Sequence, residues 1–221
     1  SGNDTLDGGD GVLDTADYSA ASTFINVNLS KPNAENQVLS DGDGGSDKLI
    51  DIEIIKASSH DDTLIGSINS DTFLGLAGND TITGLAGNDS LDGGSGDDLF
   101  ISGIYDSNNT LVNGDDGIDT IDGGTGVDTI DYSIFTSSIK VALNTSVDAI
   151  VTVNGSLSDV IKNVENIISG NGNDIISGDI LDNTILANAG NDTISGGRGN
   201  DYIDGGDDND TVDYSYINSI S

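Results

Sequence analysis

Three consecutive nonapeptides read GLAGNDTIT at residues 75–83, GLAGNDSLD at 84–92 and GGSGDDLFI at 93–101. Each carries glycine at its first and fourth positions, aspartate at the sixth and a large apolar residue at the eighth. Self-similarity at a fixed period is the sequence signature of solenoid folds, in which each repeat packs on its neighbours. The period of nine therefore governs how the rest of the chain is interpreted.

The same frame extends outward in both directions from this stretch. It covers residues 57–131, with a short insertion near 102–113, and it returns unbroken over 169–213. The sixth position is aspartate except at Asn109 and Asn183. The eighth position is apolar in every repeat, at Leu64, Phe73, Ile82, Leu91, Phe100, Leu111, Ile121, Ile130, Ile176, Ile185, Ile194, Ile203 and Val212.

The shared pattern, Gly-Gly-x-Gly-x-Asp-x-U-x with U a large apolar residue, resembles the repeats-in-toxin (RTX) family of hemolysin-type calcium-binding nonapeptides. In this strict form the resemblance covers 57–131, 169–213 and the first few residues of the chain. It implies an all-β fold, a right-handed parallel β-roll with two nonapeptides per coil and calcium ions in the turns.

Elementary geometry agrees with that fold. Glycine permits the positive φ angles of a tight turn. The last three residues of each nine, such as Thr81-Ile82-Thr83, suit a short strand whose middle side chain points inward. Two nines make one coil, and successive coils stack as parallel strands about 4.8 Å apart. The eighth-position side chains would then form one narrow, continuous core.

Stacking also aligns the sixth-position acids. Asp71 and Asp89 would share one edge of the roll, and Asp80 and Asp98 the other. Carboxylate and carbonyl oxygens at such turns suit calcium, which accepts 6–8 oxygen ligands, better than magnesium. The predicted ligands are Asp4, Asp62, Asp71, Asp80, Asp89, Asp98, Asp119, Asp128, Asp174, Asp192, Asp201 and Asp210, with the backbone carbonyls of Gly75, Gly78, Gly84, Gly87, Gly93, Gly96, Gly123, Gly126, Gly196, Gly199 and Gly205. We expect roughly ten calcium ions to bind.

The composition supports a hard cation as the partner. The 221 residues carry a formal net charge of −33, and only three of the 39 acidic residues are glutamates. Short carboxylates favour tight turns and oxygen-liganded ions. Without calcium the aligned acids repel and the thin core cannot offset chain entropy, so we predict a chain that is largely unfolded in the absence of metal.

Several classes of function are disfavoured by the same composition. Nucleic acid is not expected as a partner, because its phosphates would be repelled. No stretch reaches the ~18 apolar residues of a membrane span. The chain has no cysteine for disulfides or thiolate sites. It contains no catalytic serine elbow or zinc-protease helix motif, and its single histidine, His60, cannot build a catalytic zinc site, so we expect no enzymatic activity.

Two segments depart from the nonapeptide, and they resemble each other. Asp-Tyr-Ser at 17–19 is followed by alternating apolar residues at 25, 27 and 29, and Asp-Tyr-Ser at 131–133 by the same alternation at 139, 141 and 143. We expect both spacers to continue the roll without glycine-rich turns. The alternative is that they bulge out as loops, particularly over 31–46.

These observations divide the chain as follows: 1–18 partial repeats, 19–56 first spacer, 57–131 first array, 132–168 second spacer, 169–213 second array, and 214–221 the start of a further spacer or a cap. The third Asp-Tyr-Ser motif stands at 213–215. The repeat that ends at Asp14 has one residue too many, which places a normal calcium site there in doubt. A chain that starts inside a repeat and lacks methionine is expected to be a piece of a larger protein.

The resemblance implies a secreted or cell-surface protein that leaves the cell unfolded by type I secretion and folds where calcium is plentiful. One interpretation is a structural or adhesive module: an extender, a surface-layer unit or a filament segment, which could bind further copies end to end or neighbouring domains. The other is a non-catalytic module of a secreted protease, lipase or alginate epimerase. Ice binding is disfavoured, because the third repeat position shows no regular row of threonine or asparagine.

Overall fold

The computed structural model describes residues 2–11, 13–30, 37–105, 110–114, 116–145 and 147–215. These ranges form short β-strands and turns, without an α-helix. In the first half the strands are β1 (Thr5–Asp7), β2 (Thr15–Asp17), β3 (Asn26–Asn28), β4 (Val38–Ser40), β5 (Lys48–Ile50), β6 (Ile54–Lys56), β7 (Thr63–Ile65), β8 (Thr72–Leu74), β9 (Thr81–Thr83), β10 (Ser90–Ser95), β11 (Leu99–Ile101) and β12 (Ile104–Tyr105). In the second half they are β13 (Leu111–Val112), β14 (Asp119–Thr125), β15 (Thr129–Asp131), β16 (Ile139–Ala142), β17 (Ala149–Val153), β18 (Ser156–Lys162), β19 (Asn166–Ile168), β20 (Ile175–Ser177), β21 (Thr184–Leu186), β22 (Thr193–Ser195), β23 (Tyr202–Asp204) and β24 (Thr211–Val212).

Two long sheets contain most of these strands. One has the order β2-β6-β8-β10-β14-β18-β17-β16-β20-β22-β24, and the other β23-β21-β19-β15-β11-β9-β7-β3-β4. Two small sheets, β1-β5 and β12-β13, complete the described part. Neither long sheet closes on itself. Among the described residues, no helix has the length and apolar character needed to cross a membrane.

The strand register follows the coil of two nonapeptides. In one sheet Leu64 pairs with Ile82, and in the other Ile176 pairs with Ile194, in parallel and eighteen residues apart in each case. Consecutive array strands such as β7, β8 and β9 alternate between the two sheets. The predicted all-β parallel roll is therefore confirmed.

The eighth-position side chains build the core. In the described arrays they are buried from Leu64 to Phe100, at Ile121 and Ile130, and from Ile176 to Ile194, with Phe73 and Phe100 among the largest. Only the last coil differs, since Ile203 is partly buried and Val212 is 42% exposed. The core is thus one continuous cluster to which each long sheet contributes a row of inward apolar residues, as expected for a roll with one inward position per strand.

The insertion near 102–113 leaves the nine-residue frame. Leu91 pairs with Ile121 across thirty residues rather than eighteen, so the intervening twelve do not add to the coil. Leu111 was expected to point into the roll, but its strand β13 instead pairs antiparallel with β12. The stretch has one glycine, Gly103, and cannot form the two-glycine turn. Asn109 lies outside the described residues.

Strands of both spacers lie in the long sheets. β3 pairs with β7 and β16 with β20, each in parallel, so the alternating segments join the roll. Both spacers also add antiparallel strands: β4 on β3, and β17 between β16 and β18. Residues 31–36 of the expected loop lie outside the described part of the chain.

Candidate metal centres

The sixth-position acids form ladders along the edges of the roll. In the first ladder the backbone N–H of Asp62 donates to Oδ1 of Asp80, that of Asp80 to Asp98, and that of Asp98 to Asp128, at 2.7–2.8 Å. The second ladder joins Asp71, Asp89 and Asp119 in the same way, and the third joins Asp174, Asp192 and Asp210. Each ladder therefore uses one carboxylate oxygen to hold adjacent coils together.

The second carboxylate oxygen has no partner in many of these acids. Oδ2 is buried and makes no hydrogen bond in Asp14, Asp80, Asp89, Asp98, Asp128 and Asp192. Buried polar groups in proteins are almost always satisfied, because an unsatisfied one costs about 1–3 kcal/mol, and more if it is charged. A repeated exception at one position indicates a ligand-binding role for that oxygen.

Backbone carbonyls approach the same point. A methyl group added to Gly75 would overlap both Oδ2 of Asp80 and the carbonyl oxygen of Gly93 in the next coil. At Gly93 the same added methyl would meet Oδ2 of Asp98 and, at 2.8 Å, the carbonyl oxygen of Gly123. At Gly75 and Gly93 the absence of a side chain leaves open the space where these oxygens converge. Alanine also occurs at this position, as Ala187 before Asp192.

Other predicted carbonyls lie in matching rows. The carbonyl oxygen of Gly84 lies against Gly66 and that of Gly196 against Gly178. At the fourth position, the carbonyl oxygens of Gly78, Gly87 and Gly96 each lie against a glycine of the following coil. In the described part, Gly126 and Gly199 have no glycine in the following coil against which their carbonyls could lie, and the position in the preceding coil that corresponds to Gly205 is Ala187.

The spacers supply two carbonyls to these rows. Asp51 and Asn163 adopt φ angles of 49° and 52°, a left-handed conformation that asparagine and aspartate tolerate better than most residues. Their carbonyl oxygens approach Gly8 and Gly123 respectively. Non-glycine residues therefore continue the turn geometry where the repeat loses its glycines.

The donor set fits calcium. No group of three or more histidine, cysteine, aspartate or glutamate side chains is placed to hold a metal among the described residues, so each turn would bind through a carboxylate and backbone carbonyls. Calcium accepts such mixed oxygen sets in flexible geometry, whereas zinc prefers nitrogen and sulfur. The ion would supply charge neutralisation and a bridge between coils.

Burial disfavours the ionised form of these carboxylates, which raises the pKa. It raises the pKa of Asp80, Asp89 and Asp128 to about 7, and neighbouring ladder carboxylates add to the effect. The pKa of Asp119 rises to about 9, mainly because of burial and then because of Asp159 and Asp89. A divalent cation at the turn would lower these pKa values again, since a nearby positive charge favours the ionised carboxylate.

Three predicted ligands already have a partner for the second oxygen. Oδ2 of Asp62 accepts from the backbone N–H and hydroxyl of Ser58 at 2.7 and 2.9 Å. Oδ2 of Asp71 accepts from the backbone N–H of Ser67 at 2.7 Å, and Oδ2 of Asp174 from the hydroxyl of Ser169. The structure therefore separates Asp62, Asp71 and Asp174 from the acids whose Oδ2 is free.

The remaining predicted ligands lie at the ends of the roll. Asp4 is exposed, and its backbone N–H donates to Asp47. Asp201 is half-buried and Asp210 is exposed, but Oδ2 of each lies beside the first glycine of its repeat, as in the inner coils. At Asn183 the amide is fully engaged: it accepts from Asp179 and donates to the carbonyl of Glu165.

Sequence reasoning missed two ladder acids in the spacers. Oδ1 of Asp47 accepts from Asp4 N–H at 2.9 Å, and Oδ1 of Asp159 from Asp119 N–H at 3.2 Å. The signal was the Asp-x-U-x half of the repeat, present as Asp-Lys-Leu-Ile at 47–50 and Asp-Val-Ile-Lys at 159–162. Asp47 and Asp159 were not recognised as sixth-position acids because the complete Gly-Gly-x-Gly pattern does not precede them.

Two glutamates and one doubtful acid also join the ladders. Glu53 accepts from Asp14 N–H at 3.1 Å, and Glu165 from Asp128 N–H at 2.9 Å. Both lie nine residues before the next sixth-position acid, as the frame predicts. Asp14 has a buried, unpartnered Oδ2 although its repeat is one residue too long. Despite the extra residue, Oδ2 of Asp14 is therefore as buried and as unpartnered as Oδ2 of the acids in regular turns.

Comparison with known protein families agrees with the repeat frame. A family model described as the RTX calcium-binding nonapeptide repeat matches four segments, 1–12, 65–100, 105–134 and 177–212. Together these segments make up just over half of the chain. A search of curated proteins finds no match. The repeats of this family bind calcium, and the matched segments contain most of the acids whose Oδ2 is free.

Proposed function

The chain belongs to the RTX calcium-binding nonapeptide repeat family, and on this premise we propose that it is a calcium-folded structural module of a secreted or cell-surface protein. It would serve as an extender, a surface-layer unit or a filament segment, with no catalytic role of its own. Its partners would be calcium and either further copies or neighbouring domains of a longer parent. Repeats of this family are typical of secreted proteins, which supports an extracellular location.

One observation carries the proposal: buried, unpartnered carboxylate oxygens recur at the turns beside converging carbonyls. If each site has a dissociation constant near 10⁻⁴ M and meets about 1 mM calcium, it adds roughly 1.4 kcal/mol to the folded state. Roughly ten sites would add about 14 kcal/mol, which is comparable to the stability of a whole domain. Calcium would then decide whether the roll folds.

The same arithmetic supports export of an unfolded chain. Calcium inside a cell is too scarce to fill weak sites, so the net charge of −33 would keep the chain expanded until it reaches calcium outside. Type I secretion of an unfolded chain matches this behaviour. A stacked solenoid is also a stiff spacer, because its repeats contact only their neighbours.

The metal-dependent part of the proposal is tested by a circular dichroism titration of the full chain. We expect little β-structure in excess chelator and cooperative recovery as calcium rises towards about 1 mM. Full β-structure in chelator would contradict the proposal.

Electron microscopy of the same samples tests assembly. Calcium-dependent filaments or sheets would support the filament and surface-layer roles, and monomers in both buffers would leave only the extender role. A catalytic domain adjoining these residues in the parent protein would instead favour the module of a secreted enzyme.

A further inference from the structure

Two tyrosines occupy equivalent places at the start of the spacers: Tyr18 directly precedes the first spacer, and Tyr132 is the first residue of the second. Tyr132 is fully buried, and its hydroxyl donates to Oδ2 of Asp159 at 2.6 Å. Tyr18 is 9% exposed, and its hydroxyl donates to Oδ2 of Asp47 at 3.0 Å. Both tyrosines belong to an Asp-Tyr-Ser motif. The contact therefore occurs twice, each time between the tyrosine of this motif and a spacer aspartate 29 or 27 residues later.

The acids that these tyrosines contact are members of the ladders. Asp159 continues the second ladder beyond Asp119, and Asp47 receives the N–H of Asp4. In the spacers, as in the arrays, Oδ1 therefore accepts a backbone N–H from the preceding coil. The difference lies in Oδ2, which is unpartnered in an array acid such as Asp89 and accepts from a tyrosine hydroxyl in Asp47 and Asp159. In Asp159 it also accepts from the hydroxyl of Ser158 at 3.2 Å.

We propose that the hydroxyls of Tyr18 and Tyr132 substitute for calcium, so that the spacer coils form without metal and present a folded edge on which the arrays assemble. Asp47 and Asp159 are then structural acids and not calcium ligands. This assignment separates metal-dependent coils from metal-independent ones within a single roll.

The chemistry of the contact suits this role. A hydrogen bond from a hydroxyl to a carboxylate is roughly twice as strong as one between neutral groups. Burial, followed by the charge of Asp159, raises the pKa of Tyr132, so its hydroxyl keeps the proton that it donates. The Tyr132 ring also packs edge-on against Phe135, with centroids 5.7 Å apart. The tyrosine is therefore fixed by packing as well as by its hydrogen bond.

The second spacer has the contacts needed to hold its own structure. β16, β17 and β18 form an antiparallel three-stranded unit, which is the smallest sheet expected to be stable by itself when one face is apolar. Ile139, Val151 and Ile161 on these strands are buried. Most of these contacts are close in sequence, so they form at a lower entropic cost than pairing between distant coils.

The same unit offers an edge to each array. β18 pairs in parallel with β14 of the first array, and β16 pairs in parallel with β20 of the second. Once folded, the spacer would therefore provide a template strand for each array. Calcium would then add coils to an existing edge and would not need to nucleate the roll.

Hydrogen exchange of the full chain in excess chelator tests the proposal. In the wild type we expect amides of 139–142 and 156–162 to be protected, while those of 72–74 and 81–83 exchange freely. Tyr132→Phe should lower spacer protection roughly tenfold or more, because it removes the shorter hydrogen bond to buried Oδ2 of Asp159 and leaves only that from the hydroxyl of Ser158 at 3.2 Å. Tyr214→Phe is the matched control, since Tyr214 lies in the third Asp-Tyr-Ser motif and is 59% exposed.

Two results would overturn the inference. One is equal, fast exchange of spacer and array amides in wild-type chain without calcium. The other is unchanged spacer protection in Tyr132→Phe. Calcium should restore the β-structure of this variant, which shows that it can still fold.

Counting bound ions gives an independent readout if Tyr132→Phe fails to fold even in calcium. Asp159→Asn keeps the ladder contact through its amide oxygen and can donate its N–H to the tyrosine oxygen. It should leave the number of bound calcium ions unchanged, whereas Asp89→Asn should lose one. Loss of an ion in Asp159→Asn would show that Asp159 is a ligand and would refute the substitution.

These outcomes are distinct from failure of the proposed function. A chain that is wholly unfolded in chelator, including its spacers, would refute the inference and leave calcium-dependent folding intact. A chain that is wholly folded in chelator would refute calcium-dependent folding itself.

Discussion

The glycine-rich turn before Asp80 and the spacer coil that contains Asp159 handle a buried carboxylate in different ways. In both places one oxygen accepts a backbone N–H from the preceding coil. At Asp80 the other oxygen is unpartnered and lies beside Gly75, whereas at Asp159 it is bonded to Tyr132. The same ladder can therefore be completed by an external ion or by the protein's own hydroxyl.

This difference explains the distribution of glycine. An array turn needs space beside the carboxylate for an ion, and glycine at Gly75 or Gly93 keeps that space open. A spacer coil has no such need, because the tyrosine fills the position. The spacer can therefore use larger apolar residues and extra strands such as β17. Where the spacers lose the repeat, the coil continues, but the buried carboxylate is compensated by a tyrosine hydroxyl and not by an ion.

The largest contrast is expected from alanine at two glycines. In Gly123→Ala the methyl would lie 2.6 Å from Oδ2 of Asp128 and overlap the backbone carbonyl oxygen of Asn163. We expect a loss of about 3 kcal/mol or more in the free energy of unfolding, measured by urea denaturation in calcium. Gly155→Ala in the spacer meets no atom within 4 Å and should cost only about 1 kcal/mol, from its φ of 78°. Equal losses would show that the space beside Asp128 is not needed.

Acid should partly replace calcium in the arrays. Burial raises the pKa of Asp80, Asp89 and Asp128 to about 7 in the fold, above the ordinary value of 3.8. Protonation therefore stabilises the metal-free roll fully below pH 3.8, and this contribution is lost as the pH rises through about 7. Circular dichroism in calcium-depleted buffer should show β-structure increasing on acidification.

The calcium-loaded chain should respond to pH in the opposite direction. Protons compete with the ion for the same carboxylates, so the calcium needed for folding should increase as the pH falls. The tyrosine-bonded spacer should be protected over the whole range from pH 5 to 8. A metal-free chain that loses β-structure on acidification would contradict the assigned burial of these acids.

A neutral residue at one array acid should have opposite effects in the two buffers. Asp80→Asn removes a ligand, so in about 1 mM calcium it should cost about 1.4 kcal/mol and one bound ion. Without calcium it removes a buried charge that is repelled by its neighbours, so less osmolyte should be needed to fold the chain. Asp61→Asn makes the same charge change at an exposed site whose amide oxygen can still accept Asn79 N–H. A loss in both buffers would show that Asp80 is not a calcium ligand.

The roll itself could be predicted from the sequence because its determinants are local and repeated. Glycine at Gly75 and Gly84, aspartate five residues later and an apolar residue two further on specify a turn, a ladder and a core in every coil. Many repeats in one phase make the pattern insensitive to single exceptions such as Asn183. The ladder pairs Asp71–Asp89 and Asp80–Asp98 follow directly from this period.

The tyrosine contacts could not be predicted in this way. Tyr132 meets Asp159 only because β16, β17 and β18 fold back on one another, and that antiparallel arrangement has no fixed period. The excursion at 102–113 was similarly concealed, because Leu111 fits an eighth position by spacing alone. Nor does sequence reveal that Ser58 already bonds Oδ2 of Asp62. Which of the predicted acids bind calcium stays a prediction.

The smallest effect should come from the boundary between the two kinds of coil. Asp62 is the first array acid after a spacer, and its Oδ2 accepts from both the backbone and the hydroxyl of Ser58. Ser58→Ala removes one of these donors, so we expect a loss of about 1 kcal/mol in the free energy of unfolding in calcium. The number of bound ions should not change, because the remaining N–H still holds Oδ2. If the variant instead gains an ion, the serine hydroxyl is excluding calcium from Asp62, and the boundary between metal-dependent and metal-independent coils is set by this side chain.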